Sequence, residues 1–131
     1  MKFEETTEKI IQAFYKVYNT LGYGFLEKVY ERAMLIELAK LNLKCENQIP
    51  INVFYEGKVI GEFFADILVE DKIIVELKAI SKLTKQDESQ LLHYLNATDK
   101  EIGLLLNFGP KAEIKRKAFD NNLKKYIRKE Q

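Results

Sequence analysis

The sequence predicts an α/β fold, a mixed β-sheet flanked by helices, and three observations carry that prediction. Apolar residues recur at helical spacing over two segments at the start of the chain, three β-rich segments then follow in a row, and a third helical segment leads into an unbroken apolar run. The order is ααβββαβ. A three-stranded meander followed by a helix and another strand implies a mixed sheet with helices packed on it.

Ile10, Ile11, Phe14, Val17, Tyr18 and Leu21 place the first helix at about residues 6–19, and Gly22 and Gly24 break it. The second helix is expected over about 26–41, with Leu26, Val29, Ala33, Ile36 and Leu41 among its buried positions. Residues 50–55 read as a strand, Glu56-Gly57 as a turn, 58–69 as a longer strand and 73–80 as a third, joined near Glu70-Asp71-Lys72. Helical spacing returns over 83–97. Residues 101–108 form a continuous apolar strand of the kind covered on both faces, ended by Gly109-Pro110. The tail carries two readings: Ile114, Ala118, Phe119, Leu123, Tyr126 and Ile127 fit a helix, whereas 113–119 also fit an edge strand.

At 131 residues, 47% hydrophobic and 31% charged, the chain reads as one globular domain over 1–131. Within it we distinguish an N-terminal helix (1–21), a core (22–110) and a basic C-terminal segment (111–131). No apolar stretch approaches the ~20 residues of a membrane span, and none opens the chain as a leader. Cys45 is the single cysteine and His93 the single histidine, which excludes an internal disulfide and structural zinc and points to a cytoplasmic protein. The net charge of +1 divides unevenly. Residues 111–131 hold eight Lys/Arg against three Asp/Glu, a balance of +5, and residues 1–110 hold 13 against 17, a balance of −4. Such a tail can steer a polyanion, and it is equally what a solvated terminal segment looks like.

The chemistry centres on Asp66 and, ten residues later, Glu76-Leu77-Lys78 inside an apolar strand. Charged side chains in a strand interior cost several kcal/mol unless they are paired or bind a metal. Two carboxylates and a lysine on one sheet make an oxygen-ligand site for a hard cation, suited to phosphodiester hydrolysis. The alternative is an ion pair of Glu76 with Lys78 or Lys58. Geometry separates the two. A two-residue turn at Glu70-Asp71 would set Asp66 opposite Val75 and point it away from Glu76, so a shared ion demands a three-residue loop or a bulge. Glu27 is a third acidic candidate, although the dipole of the second helix alone explains a glutamate in its first turn. Tyr30 and Glu31 lie one turn on, and a tyrosine there is usually core. Gln90, with Gln86 and Tyr94 on the same helix face, either faces water or reaches over the sheet toward the site. His93 is a candidate proton shuttle, against the commoner reading of a surface histidine.

Gly24-Phe25-Leu26-Glu27-Lys28-Val29-Tyr30 fits Gly-x-x-Glu-x-x-Tyr and resembles the GxxExxY family, a small prokaryotic branch of the PD-(D/E)XK nuclease superfamily. The resemblance continues through Phe64-Ala65-Asp66-Ile67-Leu68-Val69, Ile74-Val75-Glu76-Leu77-Lys78-Ala79, Ser89-Gln90-Leu91-Leu92-His93-Tyr94-Leu95 and residues 103–109, covering about 5–110 in order. It departs at Ala65, where the superfamily has proline, and at Ser89, where a smaller residue is usual. The tail matches least.

This resemblance implies a restriction-endonuclease-like core in which Glu27, Asp66 and Glu76 bind Mg²⁺ or Mn²⁺. Lys78 would be the catalytic base or charge stabiliser, with Gln90 beside the site. The expected activity is metal-dependent phosphodiester hydrolysis, on DNA ahead of RNA, with a homodimer as one way to grip both strands. A nucleic-acid-binding or assembly protein with little turnover is the second reading. An unrelated α/β interaction module is the third.

Overall fold

In the computed structural model, which describes residues 2–130 and the side chains of 2–127, two helices come first, α1 (Glu4–Leu21) and α2 (Glu27–Lys40). Then follow β1 (Cys45–Tyr55), β2 (Lys58–Val69), β3 (Ile73–Lys78), α3 (Lys85–Ala97), β4 (Ile102–Phe108) and β5 (Ala112–Ala118). A 3₁₀ turn (Asn121–Leu123) and a short α4 (Lys125–Glu130) close the chain. The five strands make one sheet in chain order, antiparallel throughout except for β3 and β4. That parallel pair is joined by α3, since parallel neighbours need a crossover rather than a tight turn.

The sheet separates two cores. On one face α1 and α2 bury Ile10, Phe14, Val17, Tyr30, Met34 and Leu38 against Ile67, Val75, Leu77, Leu104, Leu106 and Phe108. On the other, α3 sets Leu91, Tyr94 and Leu95 over Leu68, Ile74 and Leu105. Gly103 faces α3 so closely that a Cβ there would meet Leu91 Cδ1 at 2.6 Å; only glycine lets the helix sit this near the sheet. All of β4 is buried, as its apolar run demands.

The second helix turns a different face inward from the one expected. Tyr30, Glu31, Met34 and Leu38 are buried, whereas Leu26 is 81% and Ile36 60% exposed, and Val29 is exposed as well. Charged and apolar residues are spread around this helix rather than sorted to opposite faces, so periodicity alone leaves its phase open. The largest side chain settles it: the Tyr30 ring stacks on Phe108 with centroids 4.2 Å apart, and its hydroxyl donates to Gly22 O at 2.7 Å. The tail resolves in favour of the edge strand, β5 pairing with β4, with helix confined to its last residues. β1 begins five residues ahead of the expected start, because β2 pairs with it from Val69 outward. α3 begins at Lys85 behind a Thr84 cap, in a capping box with Asp87.

The β2–β3 connection has three residues, Glu70-Asp71-Lys72, and Val69 stands opposite Ile73. Glu70 and Asp71 both take positive φ (54° and 57°), and the Lys72 N–H donates to Val69 O at 3.0 Å. The pairs Ile67↔Val75, Leu68↔Ile74 and Val69↔Ile73 bring Asp66 level with Glu76, the register that sharing an ion requires. Beyond Ile67 and Val75 the two strands part. β2 stays with β1, β3 stays with β4, and a cleft opens between the halves of the sheet.

Candidate active site

Asp66 sits at a pivot. Ile67 and Val69 pack into the α1/α2 core, whereas Ala65 and Phe63 pack toward α3, although strict alternation would keep all four on one face. The β1–β2 ribbon therefore turns over at Asp66. Opposite it Gln48 drops out of the strand register with a φ of 51°.

Where the β2–β3 ladder ends, side chains replace its rungs. The Asp66 N–H donates to Glu76 Oε2 at 2.7 Å, and the Leu77 N–H donates to Asp66 Oδ2 at 2.8 Å. This reciprocal latch satisfies two backbone donors and holds the two carboxyl groups at the split in the sheet. Neither Asp66 Oδ1 nor Glu76 Oε1 takes a hydrogen bond from the described residues, so each acid keeps one free oxygen. Glu76 pairs with neither Lys78 nor Lys58 among the described residues, which removes the ion-pair alternative.

The electrostatics are those of a site short of positive charge. Glu76 is 5% exposed. Burial first, and then the Asp66 charge, push its carboxyl up to about 8. Asp66 is also raised, mainly by burial; the Leu77 N–H and Lys78 oppose the shift, and the charges of Glu31 and Glu27 add to it. Near neutral pH the pair holds a proton where a cation would serve better.

Lys78 follows on the Glu76 side of β3. Its Nζ donates to Gln90 Oε1 at 3.2 Å and lies 4.0 Å from Asp87 Oδ1. The Gln90 Nε2 in turn donates to the Tyr94 hydroxyl at 3.3 Å. Lysine has donors only, so it fixes which end of the amide faces it. Gln90 thus reaches over the sheet. His93 is exposed, its ring edge-to-face with Phe63 at 4.6 Å, and it hydrogen-bonds to neither carboxylate among the described residues.

Glu27 is exposed in the first turn of α2. Its charge is felt by both Asp66 and Glu76, but it hydrogen-bonds to neither among the described residues. No three His, Cys, Asp or Glu side chains among the described residues are gathered closely enough to hold a metal ion. The structure thus assembles Asp66, Glu76, Lys78 and Gln90 and leaves Glu27 at the rim. Two further residues belong to the surroundings. Glu31, buried one turn after Glu27, accepts from Gln48 Nε2 at 2.8 Å and Asn47 Nδ2 at 3.3 Å. Asp87 combines its capping role with proximity to Lys78. The i+4 spacing from Glu27 signals the first, and the Thr84-x-x-Asp87 box the second.

The donor set fits a hard divalent cation. Two carboxylates each offer a free oxygen, one of them is otherwise driven to hold a proton, and no imidazole or thiol competes in the pair.

A family model described as the PD-(D/E)XK nuclease superfamily matches residues 4–117. No curated protein and no solved structure gives a significant match. Among the described residues, no helix is long and apolar enough to cross a membrane.

Proposed function

The chain belongs to the PD-(D/E)XK nuclease superfamily, and on that premise we propose that it is a metal-dependent nuclease hydrolysing phosphodiester bonds, with DNA the preferred substrate. The observation that carries this reading is the Asp66–Glu76 latch, with a free oxygen on each acid and Lys78 beside them.

Asp66 and Glu76 would hold one Mg²⁺ or Mn²⁺, with Glu27 as the third ligand. Bound there, the cation supplies Lewis-acid polarisation and a lowered water pKa. Lys78 keeps two donors beyond the one given to Gln90, enough to meet a non-bridging phosphoryl oxygen and the attacking water as negative charge builds. Gln90 anchors the ammonium and limits where it can point. Backbone phosphates need no sequence-reading element to be held.

Incubating single-stranded, duplex and branched DNA, and RNA, with Mn²⁺ or Mg²⁺ tests the proposal. Cleavage should appear with metal and vanish in Glu76→Ala and Asp66→Ala, together with Mn²⁺ binding by calorimetry. Cleavage that survives both substitutions would sink it. The stand-off of Glu27 favours one second reading, a nucleic-acid-binding or assembly protein with little turnover. Oligonucleotide binding without metal-dependent cutting would select that reading.

A further inference from the structure

A cleft of about 670 Å³ adjoins the site through Lys78; its lining includes Lys78, Asp87, Gln90, Phe63 and His93, but neither Asp66 nor Glu76. Phe63 and His93 form an edge-to-face pair with an interplanar angle of 76°, and His93 is exposed. One wall of the cleft is therefore aromatic. A further apolar side chain is exposed on the strand that carries Asp66: Phe64, two residues before it, is 55% exposed.

The cation supply is thin by comparison. Lys78 is the one lysine in the cleft lining, with Asp87 beside it, and residues 1–110 carry a balance of −4. The basic C-terminal segment commits part of its charge elsewhere: Lys117 is taken by Glu88 at 2.6 Å, and Lys124 is buried with its Nζ on the carbonyls of Thr98 and Lys100. Gripping a duplex from outside depends on neutralising many phosphates. Holding a single strand relies on stacking, because an unpaired base offers its face to any aromatic ring.

Resting on the nuclease reading, the geometry points to a substrate with unpaired bases. A single strand would cross the site with one base against the Phe63–His93 wall and a neighbouring base meeting Phe64. Paired bases, stacked within a duplex, cannot present their faces to these rings.

Fluorescence anisotropy on the wild-type protein in EDTA reads binding without turnover. The probes are a labelled 12-nucleotide DNA, its blunt duplex, and the RNA of the same sequence. Single-stranded DNA should bind at least tenfold more tightly than the duplex, with a log–log salt slope of magnitude no more than about 2. His93→Ala and Phe64→Ala should each weaken single-strand binding by about 5- to 150-fold, with circular dichroism unchanged. His93→Tyr should retain affinity. The RNA arm decides which kind of strand is preferred. Equal or tighter duplex binding, no detectable single-strand binding, or unchanged affinity in both alanine variants would overturn the inference. So would a dimer in sedimentation that Phe64→Ala dissolves while affinity stays the same, since that assigns the patch to a second copy. Cleavage persisting through such a failure leaves the nuclease reading intact. Aromatic-dependent single-strand binding without any metal-dependent cleavage would refute only the nuclease reading.

Discussion

Glu76 is the residue on which sequence and structure converge most closely. A glutamate in an apolar strand is conspicuous in the sequence, but its state depends on partners that only the fold supplies. The fold acts on that state in opposite directions. Burial first, and then the Asp66 charge, disfavour the carboxylate, while the Asp66 N–H and Lys78 favour it, and the first two win. Its carboxyl lies near 8 when folded, against an ordinary value of 4.5. Between those values the folded protein holds a proton that the unfolded chain has released, so stability falls as pH rises through the window and levels off above it. In metal-free protein this contribution should reach a slope of roughly 1.4 kcal/mol per pH unit at its steepest. Glu76→Gln, which mimics the protonated form, should flatten the slope and gain stability at pH 8. Urea denaturation in EDTA at pH 5, 6, 7 and 8 measures both, and an unchanged slope in Glu76→Gln would contradict the assignment. Lys78 calls for a different readout. Under the proposed nuclease reading its ammonium meets charge that develops in the reaction, so Lys78→Ala should cost about 10²–10³-fold in kcat while Mn²⁺ affinity changes much less. A large loss of Mn²⁺ affinity in Lys78→Ala would show that it works instead through the ligands.

At the scale of elements, the β2–β3 connection matters most, because its length decides which way Asp66 points. That dependence was legible in the sequence as a condition, since period-two alternation links loop length to facing. Its resolution was not, because Glu70 and Asp71 adopt positive φ with no glycine to announce it. Tertiary bonds help fix that conformation: the Glu70 carboxylate accepts from the Lys44 N–H at 2.6 Å, and Asp71 meets Lys100 at 3.1 Å. The phase of α2 was hidden for a similar reason, since a helix with charged and apolar residues on every side is oriented by what it packs on, here Tyr30 on Phe108. A third hidden device places α3. Asn107, fully buried at the end of β4, accepts from the Ile80 N–H and donates to Ile80 O, both at 3.0 Å. It also donates to Glu113 Oε1, which accepts from the Leu83 N–H. This network ties the loop after Lys78 to the sheet and so sets the origin of the helix that carries Gln90. Asn107→Leu would strand both backbone groups of Ile80, at about 1–3 kcal/mol each. The expected outcome is an unfolding free energy lowered by a total of roughly 2–6 kcal/mol, read as a lower urea midpoint at constant m. A loss below about 0.5 kcal/mol would mean that the loop is held elsewhere.

Across the whole molecule, the uneven division of charge invited the idea of a basic arm reaching for a polyanion, and the fold uses that segment differently. β5 completes the sheet edge. Past it, Lys124 is buried against carbonyls, the Tyr126 hydroxyl accepts from the Phe54 N–H at 2.9 Å, and Ile127 is buried beneath the β1–β2 ribbon. The basic count was readable in the sequence. The burial of Lys124 was not, because a lysine that ends on carbonyl oxygens looks the same in sequence as one that ends in water. Tyr126 and Ile127 line a cavity shared by the β1–β2 ribbon and the end of α3, and that ribbon also carries Phe63, Phe64 and Asp66. If the segment is a structural clasp, an apolar truncation there should hurt more than a charge reversal. Ile127→Ala should cost about 2–4 kcal/mol in urea denaturation. Lys125→Glu, at an exposed position, should change stability by no more than about 0.5 kcal/mol and leave the salt slope of oligonucleotide binding where it was. A basic arm predicts the reverse order: Lys125→Glu would weaken binding several-fold and make it less sensitive to salt, while Ile127→Ala would leave stability nearly untouched. The two measurements need no knowledge of the substrate beyond one labelled strand, and they separate a clasp from an arm whether or not that strand is cut.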